Sequence, residues 1–547
     1  MKRKIVSMLL AGTLTAVLLT GCGGTGTTTN ENKKTEESGN SISTEVSYIV
    51  LSDEEIMVDG KKVTTETTDA VYVANDIVFY LEGQDFTYGE GTKEQEHSQE
   101  EADKHTVVHI TKPGTYSFSG SLSAGQIAVD LGEEAENDPE AVVTLILDNA
   151  DITCSVAPAV IFYNVYECGT TDEENAVKDV DTSKAGANVI IADGSSNTIN
   201  GSHVARIYKS VELSEDGTKV VDSKKLHKYD AAFYSKMSMN INGGTEGTGI
   251  LNIQADNEGL DTELHLTING GNINITSGND GINTNEDNVS VTTINGGSLN
   301  ITVEGSTGEG DGIDSNGWLV INGGTVTTSA CGTSMDGGID SDKGIHINGG
   351  TVVAGGNMMD SISESNQNYM VLSFSEKVSG EDKIVMKNEA GEVVGEWALA
   401  NNYTYLVVSM PQLTEGTYTL WKNETQLSGI AMDGNMGYGM MMPGGQRPNM
   451  PANGEMPQLP EGMEIPNMSE NGERPKRAEK GQNMENFQNQ EGNQQPPEWM
   501  DFEELPEGGK QPAGRQNPMQ SQSVEGLKNA SKEFVIKNGG NIFMVVS

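Results

Sequence analysis

The sequence predicts an all-β chain: a solenoid of the parallel β-helix type, a small C-terminal β-module and a disordered Met/Pro-rich tail. Three observations lead there. The tetrapeptide Ile-Asn-Gly-Gly recurs at 241–244, 268–271, 294–297, 321–324 and 347–350, with successive isoleucines 27, 26, 27 and 26 residues apart. So regular a period is the mark of stacked repeats, one coil per repeat. Asn272 to Thr276 and Leu299 to Val303 alternate polar and apolar residues, as strands with one inward face should. No proline lies between Pro158 and Pro411, which suits strands paired on both edges, and a glycine every few residues disfavours helix. The Asn-Gly-Gly corner places residues that tolerate positive φ where the chain must turn. Stacked Asn242, Asn269, Asn295, Asn322 and Asn348 then predict a ladder of side-chain amides.

In chain order, residues 1–22 read as a lipoprotein signal peptide. A basic start (Met1 to Lys4) precedes an apolar run from Ile5 to Leu19, too short for a comfortable membrane span. Leu19-Thr20-Gly21-Cys22 resembles the bacterial lipobox, which implies cleavage before Cys22 and a diacylglyceryl group on its sulfur. The expected location is the outer face of a bacterial cytoplasmic membrane or the cell surface, with residues 23–45 as a flexible tether. Residues 46–365 form the expected β-helix domain. Val142 to Asp148 and Ala159 to Tyr166 read as buried strands of its early coils, Asp76 to Tyr80 as a further strand, and 90–104 as an acidic loop. The polar stretches 167–184 and 210–228 read as surface loops. Residues 366–430 suit a β-module or cap over the open end of the solenoid. From 431 to 522 the composition changes: twelve of 24 methionines and twelve of 16 prolines fall between Met432 and Met519, and such a segment cannot bury a core. Residues 523–547 regain strand character and are candidates to dock as terminal strands. Cys154 and Cys168 could form a disulfide or remain buried thiols, and no zinc spacing is visible.

With 80 acidic against 34 basic residues, net −46, nucleic acid is excluded as a natural partner. The acids are also ordered. A second marker precedes each coil's Ile-Asn-Gly-Gly: Glu258-Gly-Leu-Asp261, Asp280-Gly-Ile-Asn283, Asp311-Gly-Ile-Asp314 and Asp336-Gly-Gly-Ile-Asp340. Coil spacing turns Glu258, Asp280, Asp311 and Asp336 into one column and Asp261, Asn283, Asp314 and Asp340 into its neighbour. The coil after Asn283 carries about four extra residues near Glu286 to Val289. Strands stack ~4.8 Å apart, so uncompensated carboxylates in a column repel. Calcium accepts oxygen ligands at about 2.3–2.6 Å and would fit between coils, and an all-oxygen set favours a hard cation over zinc or iron. A solvated acidic face that only maintains solubility is the plainer alternative.

No nucleophile motif marks an enzyme, and no pair of acids stands out for glycoside hydrolysis. A lyase on such a scaffold would need a base beside the carboxylates. Lys236 and Lys343, the only lysines between Ala231 and Asp360, are the candidates, each more simply read as a surface charge.

The segments Ile110 to Gly120, Ile191 to Gly201 and Ala231 to Lys236, followed by the repeat array, together resemble a family of bacterial surface lipoproteins described as carbohydrate-binding domain-containing proteins. The resemblance spans roughly 69–429. It implies a right-handed parallel β-helix with bound calcium and a pectate-lyase-like shape. It also implies binding of plant cell-wall polysaccharide of the cellulose or polygalacturonate class. Carried onto this chain, the calcium falls on the columns named above; Asn283 replaces an acid in one of them. A calcium-dependent pectate-type lyase and a structural adhesin or spacer are the alternatives. For a neutral glycan, Trp318 at a coil corner is the candidate platform; a polyuronate would need calcium to bridge it to Asp311, Asp314, Asp336 or Asp340.

Overall fold

The computed structural model describes residues 46–226, 229–432 and 530–546. The signal segment with Cys22, the 23–45 tether and most of the Met/Pro-rich stretch lie outside the described residues. Within them the chain is nearly all β, with one four-residue α-helix at Gln99–Ala102 inside the stretch read as an acidic loop.

Three ladders of parallel strands carry the repeat. The first runs through Thr106–Ile110, Gly125–Asp130, Val160–Asn164, Ala231–Ser235, Glu258–Thr262, Ile282–Thr284 and Ile313–Ser315. The second includes Ala187–Ile191, Met239–Gly243, Leu266–Ile268, Val291–Ile294, Trp318–Ile321 and Gly344–Ile347. The third begins with Ser196–Gly201 and then follows each Asn-Gly-Gly corner: Ile250–Ala255, Asn272–Ser277, Ser298–Val303, Thr325–Ser329 and Thr351–Gly356. Each strand pairs with its counterpart one repeat away, so Ile241, Ile268, Ile294, Ile321 and Ile347 stack in one inward column and are all buried. Fully burying an isoleucine contributes about 1.5–3 kcal/mol, so the repeated position is also the repeated source of stability.

The corners behave as their residues require. Gly271, Gly297, Gly324 and Gly350 all have positive φ, between 81° and 96°. Asn269, Asn295, Asn322, Asn348 and Asn366 each donate an amide N–H to the asparagine of the preceding coil, at 2.8–3.0 Å.

The glycine of the acidic marker has a different cause. A Cβ on Gly259 or Gly281 would come within 2.6 Å of the next coil's backbone carbonyl, and on Gly312 within 2.3 Å of Gly338 O. Coils can close on one another there only without a side chain.

Some segments differ from their sequence reading. Asp76 to Tyr80 belongs to no strand; the nearby strand is Val71–Ala74. Residues 210–228 are no plain loop: Tyr208–Leu213 and Val220–Lys225 form an antiparallel arm. Its alternation has no buried face, so polarity alone concealed it. Beyond the last coil, Tyr403–Ser409 pairs antiparallel with Thr351–Gly356 and ends the third ladder. A separate five-stranded sheet around Gly416–Lys422 closes a second core that includes Leu406, Leu420 and Phe534. Phe534–Ile536 joins that sheet, and Gly540–Val546 lies beside Tyr369–Val378. Cys154, Cys168 and Cys331 are free thiols.

Candidate functional site

The acidic markers lie on the first ladder, and pairing sets their register. Tyr234, Asp261, Asn283 and Asp314 are successive partners. Asp340 faces Asp314, since its N–H donates to Ile313 O and its carbonyl accepts from Ser315. These residues do not form a solvated face. Glu258, Asp261, Asp280, Asn283, Asp311, Asp314 and Asp340 are all buried; Asp261 and Asp311 are 0% exposed, and Asp336 alone is half-buried. Composition suggests solvent because most acids in such a chain are solvated. Here the close approach of neighbouring coils at Gly259, Gly281 and Gly312 accompanies burial of the carboxylates.

Within the columns the acids divide by role. Asp280 Oδ1 accepts from Asp311 N, Asp311 Oδ1 from Gly337 N and Asp336 Oδ2 from Gly310 N, each at 2.6 Å. These bonds tie one coil's side chain to another coil's backbone, and charge-assisted bonds of this kind are among the stronger ones. Toward the earlier coils, Asn283 Nδ2 donates to Glu258 Oε1 and to Asn285 Oδ1, both at 3.1 Å, while Asn285 Nδ2 donates to Asp261 Oδ1 at 2.6 Å. The Asn283 Oδ1 atom is buried without a hydrogen-bond partner.

One group stands apart. Ligand oxygens of Asp311, Asp314 and Asp340 all lie within 4.8 Å of one another, and all three residues are buried. Among the described residues this is the one cluster of three or more potential metal ligands so placed. Three carboxylates at that depth make an all-oxygen donor set of the kind a hard divalent cation takes, and its charge would offset theirs. The donor chemistry therefore fits calcium, with Asp311, Asp314 and Asp340 as the residues that would hold it. Asp280 and Asp336 lie outside that group and, like Asp311, accept from backbone N–H groups of other coils. Asn283, next to Asp314 in the column, is the neighbour with an oxygen to spare.

Tyr234, Glu263 and Asn285 belong to the same neighbourhood, and sequence reading missed them. Tyr234 is buried and donates to Glu263 Oε1 at 2.7 Å; burial first, then the charges of Glu263 and Asp261, push its phenol well above the ordinary value. It precedes the repeats as a Tyr in the Asp261 position, a signal visible only once the register is known.

The candidate bases are engaged elsewhere. Lys236 is exposed, paired with Glu136, and donates to Asn164 Oδ1 at 3.2 Å. Lys343 is exposed with its ammonium 4.9 Å from the centre of the Trp318 ring, a cation–π arrangement. Trp318 is half-buried at the start of its strand. Of the histidines outside the columns, His265 is buried, accepts from Val291 N through Nδ1 at 3.1 Å, and is pushed down to about 4 by burial. His265 is thus a neutral structural ring.

The stretch 167–184 is more than a surface loop. Thr182 is buried, and its hydroxyl lies 2.7 Å from both Asn240 Oδ1 and Thr267 Oγ1 on the outer face of the second ladder. Between the 178–183 segment and that face runs a groove of about 580 Å³.

Comparisons with known proteins give three similarities. A family model described as carbohydrate-binding domain-containing protein matches residues 104–369. A carbohydrate-binding domain-containing protein of Acetivibrio thermocellus is 28% identical over 269 residues, which is 49% of this chain. The match spans 64% of that relative's length. A solved structure of the polysaccharide lyase-like protein from C. thermocellum, as its gadolinium derivative, aligns at 20% identity with a TM-score of 0.31. It covers 58% of this chain and 90% of that one.

Proposed function

We propose that this chain is a cell-surface lipoprotein, anchored through Cys22, that binds plant cell-wall-type polysaccharide on a calcium-stabilised, right-handed parallel β-helix. The carrying observation is the buried triad Asp311, Asp314 and Asp340, inside the 104–369 segment that matches the carbohydrate-binding family. Calcium bound there would supply the positive charge that lets carboxylates of neighbouring coils share a small volume. The depth of these acids favours a structural ion over one that bridges to a polymer, since Asp311 is 0% and Asp314 8% exposed. A chain of net charge −46 repels a polyuronate wherever no cation is presented to it. Between the two polysaccharide classes, a neutral one of the cellulose type is therefore the better ligand. Binding without turnover is the better activity, because Lys236 is committed to Glu136 and Asn164, and Lys343 to Trp318.

The test is a sedimentation assay of the full chain with insoluble cellulose and with polygalacturonate gel, each with calcium and with EDTA below the melting temperature. Retention on cellulose under both conditions, without unsaturated uronate absorbance from polygalacturonate, is the expected result. Retention on neither polymer would leave a spacer or adhesin. Calcium-dependent unsaturated product, lost in Lys236→Ala or Lys343→Ala, would make the protein a lyase.

A further inference from the structure

The groove under the 178–183 segment has an uncharged floor of mostly amide and hydroxyl side chains. Asn188, Asn240, Thr267, Thr293, Asn269 and Asn295 line it, and no floor residue is charged; the charges Lys178, Asp179 and Asp181 all sit on the overlying segment. A neutral floor of amides and hydroxyls suits a ligand that offers hydroxyl groups. The overlying segment is fixed there. Thr182 contacts two successive coils, and Asn240 Nδ2 returns a bond to Thr182 O at 2.8 Å. The volume of about 580 Å³ falls within the range of small-molecule sites, roughly 300–1,000 Å³.

The amide row has bonding capacity left over. Asn295 donates one N–H to Asn269 and accepts one from Asn322. A side-chain amide has two N–H donors and two lone pairs, so each interior member retains a donor and an acceptor. The same set repeats once per coil, at ~4.8 Å, a spacing near the length of one pyranose unit in an extended chain. Trp318 and Val320 share a strand whose alternation sends both side chains to the outer face, with Asn322 just past its end, so the half-buried indole lies on the groove's side of the sheet.

We propose that this roofed amide groove is a binding subsite for an extended neutral polysaccharide, lying along the stacking direction with one sugar per coil. The proposal rests on the polysaccharide-binding reading above and names its site.

Isothermal titration of the full chain with cellohexaose, xylohexaose and mannohexaose tests it. Thr293→Trp, which fills the groove and leaves the amide row intact, should weaken the best wild-type ligand by at least about tenfold. Lys383→Ala, in the C-terminal module, should leave affinity within about twofold. The Asn269→Leu/Asn295→Leu double variant should reproduce the loss, and it decides the question if Thr293→Trp does not fold. Wild-type affinity in a folded Thr293→Trp protein would put the glycan elsewhere and overturn the groove while leaving polysaccharide binding standing. No wild-type binding to any of the three hexaoses would overturn both.

Discussion

Replacing Asp314 by Asn separates the calcium reading from an ordinary buried acidic cluster. With the oxygens of Asp311, Asp314 and Asp340 at most 4.8 Å apart, each ionised pair repels by about 3.5 kcal/mol at an effective permittivity near 20. Three pairs come to about 10 kcal/mol, comparable to the whole stability of a typical domain. Asp314→Asn deletes two of the pairs, about 7 kcal/mol, while keeping the shape of the side chain. If neighbouring dipoles already absorb two thirds of that, about 2 kcal/mol remains, enough to raise the melting temperature of the metal-free protein by about 2 °C. Calcium should do the opposite to the pair of proteins. At one hundred times its dissociation constant it would stabilise the wild type by about 2.7 kcal/mol. The variant, with one carboxylate fewer, should respond weakly. Differential scanning calorimetry in EDTA and in calcium, at one ionic strength, reads all four states. A wild type that melts alike in both would refute the calcium site. An Asp314→Asn protein that melts lower than wild type in EDTA would refute the repulsion argument.

Further expectations follow from other contacts. Gly312→Ala places a methyl group 2.3 Å from Gly338 O and 2.6 Å from Thr328 Cβ, so the urea midpoint should fall by the equivalent of about 1–3 kcal/mol; an unchanged midpoint would mean that the coils can separate without loss. His203 Nδ1 lies 3.1 Å from Asp256 Oδ1. Burial opposes the charged ring, but the hydrogen bond and charge of Asp256 outweigh it and hold the imidazole above its ordinary value. Burial likewise works against the Asp256 carboxylate, yet His203 holds it below the usual range. The imidazole contribution is full below about pH 6.5 and lost as pH rises through the raised folded value; the carboxylate contribution is present above about pH 3.9 and lost as pH falls through the lowered one. Stability should therefore decline on the alkaline side of about pH 6.5, and His203→Gln should flatten that decline; a variant with the wild-type profile would show that the pair is not its source. Cys22→Ser should release the protein into the medium or leave it unprocessed, read by fractionation and blotting, and a processed variant that stays with the membrane would point to another anchor.

What the sequence shows of this fold is its register. Equal spacing of Ile-Asn-Gly-Gly is a statement about neighbours, because a residue one period away is a residue one strand away, and the Ile241-to-Ile347 column and the amide ladder are both readable from it. Depth is not readable in the same way. The spacing of Asp311, Asp314 and Asp340 says that they stack, but not that glycine lets the coils close until those acids are buried. Gly259, Gly281 and Gly312 permit close approach to the next coil's carbonyl. The 178–183 segment has no period, so nothing in its composition tells that Thr182 is pinned to Asn240 and Thr267. The same holds for Tyr234, whose relation to Asp261 is a pairing across coils and not a pattern along the chain.

Stacking acts differently on the two columns that face away from the core, and the difference organises the candidate sites. A row of amides is self-complementary: each asparagine donates to the one before and accepts from the one after, so lengthening the row adds bonds without adding charge. Such a row can remain at the surface, neutral and partly unsatisfied, as a repeating set of donors and acceptors for hydroxyls. A row of carboxylates has no such complement, and every added coil adds repulsion that decays slowly where water is excluded. It must be interrupted, neutralised or tied to backbone. This chain does the first at Asn283 and the third at Asp280, Asp311 and Asp336. Asp311, Asp314 and Asp340 bring their oxygens within 4.8 Å of one another, and a bound cation would suit that set. The ion would then secure the first ladder, and with it the spacing of the coils on which the amide groove of the second ladder depends.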